Sequence, residues 1–428
     1  MIRLLSALAL LLLFAPAGIA QQGYLEVVPS GSSQPKLAIA APTPLAGAAK
    51  TETAQEITEV LRFDLDLAGL FTVSAAPVSE RRSGIRPGEF DFAPWQAAGT
   101  ELLVKTGYTL DGSRLVAEFR LYDVRRQKEL LAKRYTGTPR ELRRMAHTFG
   151  DDILQTLTGE RGPFTGKIAF VSRRSGSKEI YLMDYDGVNV QKITSNGSIN
   201  LNPDFSPTGK EIIYTSYKQR NPDLYRRELL TGSEARISAQ RGLNATAAFA
   251  PDGKRIALTL SKDGTSEIYT MNKEGKELER LTRGAAINVA PAWSPDGSQL
   301  AFVSDRLGKP QVFLMSSDGS NVRRLTTSGA YNVSPRWSPK GDLIVYARQE
   351  GGGFQLYLIR PDGSGDLRLT SEGSNEHPRW SPDGRFITFS SKRGGQEAIY
   401  LMRSDGTGQV KVSRGTGSDS HPAWSPRW

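Results

Sequence analysis

Hydrophobic positions in residues 161–428 recur at a nearly constant interval along the chain. Six short apolar segments each end in an aromatic residue, and successive aromatics are 44, 44, 44, 43 and 44 residues apart. So regular an interval is typical of a repeat architecture in which every unit has the same structure. A pair of β-sandwiches is the alternative, but it does not require units of equal length. The six aromatic anchors are Phe205, Phe249, Trp293, Trp337, Trp380 and Trp424.

Each unit has the alternating apolar and polar positions of four antiparallel strands. The segment that ends in the anchor is the first strand, and a Ser-Pro-Asp-Gly turn follows it, as at 294–297. Alternation predicts the second and third strands at Gln299–Asp305 and Gln311–Gly319, and the fourth at Asn321–Thr326. Four strands per repeat of this length predict a propeller blade. The fold class is therefore predicted as mainly β, with a six-bladed β-propeller over residues 161–428.

The two ends of this region each contain part of a blade. Residues 166–194 have the second, third and fourth strands of a unit, but no anchor segment precedes them. The anchor segment His421–Pro426 has no further strands after it. We predict that these parts form one blade and close the ring, which leaves no open sheet edge. The four tryptophan anchors are expected in the core.

A polar residue stands five positions before each anchor. We expect the loops that carry these residues to surround one mouth of the central channel, opposite the Ser-Pro-Asp-Gly turns. There the side chains could form a polar ring that binds a ligand, a cation or a protein loop; alternatively, each caps its own turn. Neighbouring positions vary between units, as on a binding surface. The candidate binding residues are Asn200, Leu243, Asn244, Thr246, Asn288, Val289, Asn332, Asn375, His377, Asp419 and His421.

The first 160 residues lack the repeat. Residues 1–20 combine one arginine, an apolar run and a small-x-small site, so we expect a cleaved export signal. The run is too short to span a bilayer. Residues 21–34 are expected to form an N-terminal arm, and residues 35–160 a small α/β domain. Its helices are predicted at Thr51–Gly69, capped by Thr51 or Thr53, and at Thr138–Gly159; its strands are predicted at Leu37–Leu45, Glu101–Leu110, Arg114–Val124 and Lys128–Gly137.

Composition limits the possible chemistry. The chain has no cysteine, which excludes disulfides, thiolate metal sites and a thiol nucleophile. Residues 21–160 hold 17 Lys and Arg against 18 Asp and Glu, whereas residues 161–428 hold 37 against 27. This positive excess fits an ordinary solvated surface or an acidic partner. No dense basic block or RNA-binding signature predicts nucleic-acid binding.

No catalytic motif is recognisable in the chain. It contains neither a Gly-x-Ser-x-Gly elbow nor a Walker-type phosphate loop. His147 is expected on a helix surface. His377 and His421 occupy the same slot in adjacent blades, and with Glu376 and Asp419 they could hold a metal; chance placement in a variable slot is the other explanation. We therefore predict no catalytic residue, no cofactor and no metal site.

An export signal, a small α/β domain and six Trp-Ser-Pro-Asp-Gly blades ending in "HPAWSP" together resemble the TolB family of the Tol–Pal envelope system of Gram-negative bacteria. The resemblance covers the whole mature chain. It implies a periplasmic, non-catalytic adaptor with an anticodon-binding-like α/β domain. It also implies a role in outer-membrane integrity and in invagination during cell division.

The resemblance further implies partners. The propeller would bind the peptidoglycan-associated lipoprotein Pal with the candidate residues around the channel mouth. The arm, with Tyr24, Leu25, Glu26, Val27 and Val28, would dock the inner-membrane protein TolA. This arm shares little beyond a Glu-Val and a Ser-Gly with better-known members. Other outer-membrane proteins are further candidate partners, and the protein is expected to be a monomer that is not inserted in a membrane.

Two other functions use the same channel mouth. One is an exported propeller enzyme, a lyase or hydrolase built on His377 and His421. The other is a propeller that binds glycan or peptidoglycan directly.

Overall fold

The computed structural model describes residues 34–47, 50–74 and 84–427. The predicted export signal and the predicted TolA-type segment Tyr24–Val28 lie outside these residues. The described residues form a small α/β domain followed by a six-bladed propeller, so the predicted fold class is confirmed.

The α/β domain is one mixed sheet with two long helices against it. The strand order is β3-β1-β4-β5-β6, and β2 pairs with β4. The strands predicted at Glu101–Leu110 and Arg114–Val124 are present as β4 and β5, which form an antiparallel hairpin. The elements are β1 (Lys36–Ile39), β2 (Thr43–Ala46), α1 (Thr51–Ala68), β3 (Thr72–Ser74), α2 (Ala93–Ala97), β4 (Leu102–Asp111), β5 (Arg114–Asp123), β6 (Lys128–Gly137), a 3₁₀ turn (Pro139–Glu141) and α3 (Leu142–Thr158).

Two local predictions for this domain need correction. The single strand expected at Leu37–Leu45 is divided into β1 and β2, because Pro42 and Pro44 lack the amide donors that a continuous ladder requires. Helix α1 begins after Lys50, and no side chain caps it, so the predicted threonine cap is wrong. The helix ends as expected at Gly69, whose φ of 67° favours glycine.

The propeller contains six four-stranded sheets within the described residues. In blades 2 to 6 the strands run from the channel outwards in chain order, and in blade 1 the carboxyl-terminal strand is the innermost. From blade 1 to blade 6 they are Asp419–Trp424, Lys167–Ser175, Ser177–Asp184 and Gln191–Lys192; Asn200–Phe205, Glu211–Gln219, Asn221–Glu228 and Glu234–Ser238; Asn244–Phe249, Arg255–Leu260, Glu267–Asn272 and Glu279–Arg280; Asn288–Trp293, Gln299–Ser304, Gln311–Ser316 and Arg323–Arg324; Asn332–Trp337, Ile344–Glu350, Gly353–Ile359 and Leu367–Arg368; Asn375–Trp380, Phe386–Ser391, Ala398–Arg403 and Val410–Lys411.

The carboxyl-terminal strand closes the ring as predicted. It pairs antiparallel with Lys167–Ser175, with Asp419 opposite Ser172 and Trp424 opposite Ile168. Trp424 is 7% exposed and stacks on Tyr185 and Phe386. Strands from the two ends of the chain therefore share blade 1.

The antiparallel order gives the ring two different faces. We call the face with the loops between blades the upper face; it also carries the turns between second and third strands. The lower face carries the Ser-Pro turns and the turns between third and fourth strands. The α/β domain contacts the lower face: Arg403 donates to the carbonyl oxygens of Leu67 and Asp66 at 2.9 and 2.8 Å, and Arg385 donates to Thr158 Oγ1 at 2.9 Å. The upper face is therefore free of the α/β domain.

His147 is not on a helix surface, so that prediction is wrong. It is 2% exposed and lies where α1, α3 and blade 1 meet, since the hydrophobic core continues from the α/β domain into the propeller. None of the helices in the described residues combines the length and the hydropathy that a membrane crossing requires.

Candidate functional site

The innermost strands place one side chain per blade in the upper part of the channel. Each strand has a register shift next to the residue three positions before the anchor. That residue has a positive φ, between 47° and 56°, a conformation that non-glycine residues rarely adopt. The six residues line a cavity of about 120 Å³ and are Asn202, Thr246, Ala290, Ser334, His377 and His421.

His377 and His421 stack in this cavity. Their ring centroids are 3.7 Å apart and the rings are tilted by 26°. Burial, with smaller contributions from Lys392 and Lys178, lowers the pKa of His377 to about 4; burial and the neighbouring imidazole hold the pKa of His421 well below its usual value. Both rings are therefore neutral at neutral pH, which permits the close stack.

The six polar residues five positions before the anchors do not line the channel mouth. All are at most 2% exposed. Asn332 shows the pattern: its Nδ2 donates to Gln311 Oε1 at 2.8 Å and to the Ser328 carbonyl at 2.9 Å, and its Oδ1 accepts from Arg348 Nε at 3.1 Å. The predicted open polar ring is wrong, and the alternative, in which each side chain holds its own loop, is what the structure shows. The residues are Asn200, Asn244, Asn288, Asn332, Asn375 and Asp419.

A cation that was not predicted from the sequence stands near the upper end of each second strand, and in four blades it donates to one of these polar residues. Arg306 is typical: it donates to Asn288 Oδ1 at 3.0 Å and lies 5.5 and 5.0 Å from the ring centroids of Phe302 and Phe313. Aromatic faces stabilise a cation held in this way. The sequence repeat could have revealed these cations, because successive members are 44, 44, 44, 42 and 45 residues apart. We call them the cation ring: Arg174, Lys218, Lys262, Arg306, Arg348 and Arg393.

Exposed apolar side chains surround the same mouth. Ile199, Ile287 and Tyr331 are 45%, 50% and 39% exposed, and each directly precedes a buried asparagine. Leu307, in the turn between the second and third strands of blade 4, is 61% exposed. Leu243 directly precedes the buried Asn244, as Ile287 precedes Asn288, and it is partly buried. We call these five residues the apolar rim.

The structure therefore separates the predicted site residues into four groups. Thr246, His377 and His421 line the cavity, and Leu243 belongs to the apolar rim. Val289 is partly buried on its innermost strand. The six polar residues anchor the loops. Ile199, Ile287 and Leu307 were missed, although Ile199 and Ile287 occupy the same repeat position as the predicted residue Leu243.

Both parts of the chain match known families. Residues 154–428 match the family described as "TolB beta propeller domain", which is more than half of the chain, and residues 23–130 match "TolB amino-terminal domain".

The chain belongs to the TolB family.

Known relatives agree with this assignment. "Tol-Pal system protein TolB" of Geobacter metallireducens is 65% identical over 211 residues, 49% of each chain, and that of Geobacter sulfurreducens is 62% identical over 214 residues, 49% of this chain and 50% of the relative. The matched region thus spans about half the length of these TolB relatives. The structure is also similar to the crystal structure of TolB from Acinetobacter baumannii, with a TM-score of 0.80, 27% identity and coverage of 92% of this chain and 97% of that one.

Proposed function

We propose that this protein is the non-catalytic adaptor of a Tol–Pal system in the periplasm, and that its upper face binds a Pal-type lipoprotein. In this role it supports outer-membrane integrity and invagination during cell division. Relatives with 65% and 62% identity are named Tol-Pal system proteins, which supports a place in that system.

The apolar rim is the observation that carries the proposal. Exposed Ile, Leu and Tyr side chains gathered at one mouth are typical of a protein-interaction surface. Buried asparagines hold the rim loops, so a partner would meet a preorganised surface. The cation ring adds positive charge around it. In the described residues, neither Arg306 nor Arg393 has a carboxylate within 4 Å, which favours a partner with acidic residues at its edge.

An affinity measurement with matched variants tests this proposal. We expect the purified Pal-type lipoprotein of the same organism to bind the wild-type protein, and Ile287→Asp to weaken binding about tenfold or more. Leu230→Asp is the control, because Leu230 is 93% exposed but lies on the lower face. Equal effects of the two substitutions, or no binding by the wild type, would contradict the proposal.

We also propose that the arm residues Tyr24–Val28 dock a TolA-type protein. The support is the family, because the match to the "TolB amino-terminal domain" family, over residues 23–130, includes this segment. Replacing the five residues with a Gly-Ser segment should abolish binding of a purified TolA-type domain while lipoprotein binding persists. Loss of both activities would point to misfolding, and retention of TolA binding would place that site elsewhere.

The enzyme alternative has less support than the adaptor. No three His, Cys, Asp or Glu side chains are grouped as metal ligands in the described part of the chain. A neutral imidazole has one nitrogen that can ligate a metal, so the stacked His377 and His421 could supply two ligands at most. Stoichiometric metal in elemental analysis, lost in His377→Ala, would revive the alternative. Direct glycan binding is tested by calorimetry with purified wall fragments.

A further inference from the structure

A second opening of the channel lies on the lower face, opposite the apolar rim. It is a funnel of about 410 Å³, a volume within the range of small-molecule sites. Its wall repeats one pattern six times, an anchor ring followed by a Ser-Pro turn in five blades and by Ala250-Pro251 in blade 3. The anchors that form it are Phe205, Phe249, Trp293, Trp337, Trp380 and Trp424. The wall is therefore apolar and rich in aromatic surface.

The floor of the funnel breaks the sixfold pattern. The residue directly before the anchor is alanine in three blades, at Ala248, Ala292 and Ala423. It is arginine in blades 5 and 6, at Arg336 and Arg379, and aspartate in blade 2. Both arginines also line the small upper cavity, so they form the partition between the two parts of the channel. The alanines leave room beside two long cationic side chains.

Few of the guanidinium donors on this floor have partners. Arg336 donates from Nη1 to the Pro335 carbonyl at 2.8 Å, and its buried Nε has no acceptor among the described residues. The side chain of Arg379 is 14% exposed, and its nearest carboxylate oxygen, on Asp204, is 3.6 Å away, beyond hydrogen-bonding distance. Each guanidinium carries five N–H donors, so most of them remain available to a ligand.

The positive and negative charges on the floor also do not balance. Among the described residues that line the funnel, Asp204 is the only carboxylate facing two guanidinium groups. Burial lowers the pKa of Arg379 and raises the pKa of Asp204, because removal from water destabilises the charged form of each side chain. A single additional carboxylate would neutralise the floor and accept its spare donors, since a guanidinium matches a carboxylate in a bidentate geometry.

We propose that the lower funnel binds a small organic monocarboxylate, with its carboxylate on Arg336 and Arg379 and its apolar body against the aromatic wall. The site is separate from the proposed lipoprotein surface, because it opens on the other face of the ring. The proposal does not depend on the adaptor function.

Calorimetry on the full mature protein tests the proposal with 4-phenylbutyrate and its neutral analogue 4-phenylbutyramide. The two probes have the same apolar body, so their difference reports the charge. We expect saturable binding of the acid with one site per chain, and at least about tenfold weaker binding of the amide. Arg336→Gln should weaken the acid about tenfold and leave the amide unchanged. The four funnel tryptophans provide a fluorescence readout of the same titrations.

Arg360→Gln is the matched control, since it removes one positive charge from an exposed turn of the lower face. It should leave the affinity for the acid unchanged. Equal binding of acid and amide, equal losses in the two variants, or no binding of either probe would overturn the proposal. If Arg336→Gln lacks the wild-type circular dichroism spectrum, Arg336→Lys takes its place: it keeps the charge but loses the bidentate fork, and unchanged affinity for the acid would then count against the geometry.

Discussion

His147 Nδ1 lies 2.9 Å from Asp64 Oδ1, and both side chains are buried where the α/β domain meets the propeller. The other ring nitrogen, Nε2, is 3.6 Å from Asp186 Oδ2 in blade 1. Tyr185 donates to Asp64, and Arg143 donates to Asp186. One imidazolium therefore stands between a carboxylate of the α/β domain and a carboxylate of the propeller.

Removing this imidazole should destabilise the whole protein. In His147→Ala, two carboxylates would stay buried without the cation between them, and we expect the free energy of unfolding to fall by about 3–5 kcal/mol. Urea denaturation followed by circular dichroism measures the change. Arg144→Ala, an exposed neighbour on the same helix, is the control. Equal stabilities of the two variants would show that the contact contributes little.

The same cluster predicts a loss of stability on the alkaline side. Burial would lower the pKa of His147, but Asp64 and Asp186 more than offset it and raise the pKa to about 10. The folded protein then binds more protons than the unfolded chain, whose histidine pKa is about 6.5. The stabilisation is complete below about pH 6.5 and is lost as the pH rises towards 10. Melting temperatures between about pH 7 and 9 should therefore fall more steeply in the wild type than in His147→Gln.

The stacked histidines predict the opposite dependence on the acid side. Burial lowers the pKa of His377 to about 4 and holds the pKa of His421 well below its usual value. The unfolded chain therefore binds more protons between about pH 4 and 6.5, so stability falls as the pH falls through this range. The double variant His377→Asn/His421→Asn should have a shallower slope between about pH 5 and 6.5, above most carboxylate pKa values. An identical slope would mean that the stack does not exclude protons.

The buried asparagines are expected to act on stability rather than on binding. Asn332→Ala would remove one buried hydrogen bond from Gln311 Oε1 and one from Arg348 Nε, which should cost about 1–3 kcal/mol. Ser328→Ala in the same loop is the control, because only its backbone carbonyl contacts Asn332. Affinity for the lipoprotein, measured well below the melting temperature, should change less than in Ile287→Asp. A larger change would return Asn332 to the list of direct partner contacts.

Truncation tests the closure of the ring. Deleting residues 419–428 removes the first strand of blade 1, including the buried Trp424, and we expect the melting temperature to fall by about 10 °C or more. Deleting only residues 426–428 keeps the paired strand and should have little effect. Unchanged melting of the longer deletion would show that the terminal strand does not hold the ring closed.

The sequence by itself determined the blade number, the strand order and the shared blade 1. These features depend on local patterns, the alternation of side chains along a strand and the Pro and Gly of tight turns, which were repeated often enough to be read without a partner strand. The same pattern placed the five asparagines, Asp419 and the cation ring at fixed positions of the repeat, but it could not give the direction of their side chains.

The contacts that residues at those positions make depend on the tertiary structure. The asparagines turn inwards because the third strand of the preceding blade presents carbonyl and carboxamide oxygens that accept from them. His147 is buried because a second domain covers its helix, which helical periodicity within α3 alone does not show. Arg336, Arg379 and Asp204 meet on one floor because ring closure brings together residues from blades 5, 6 and 2. Contacts between residues so distant in the chain depend on the curvature of the whole ring, and no local pattern records it.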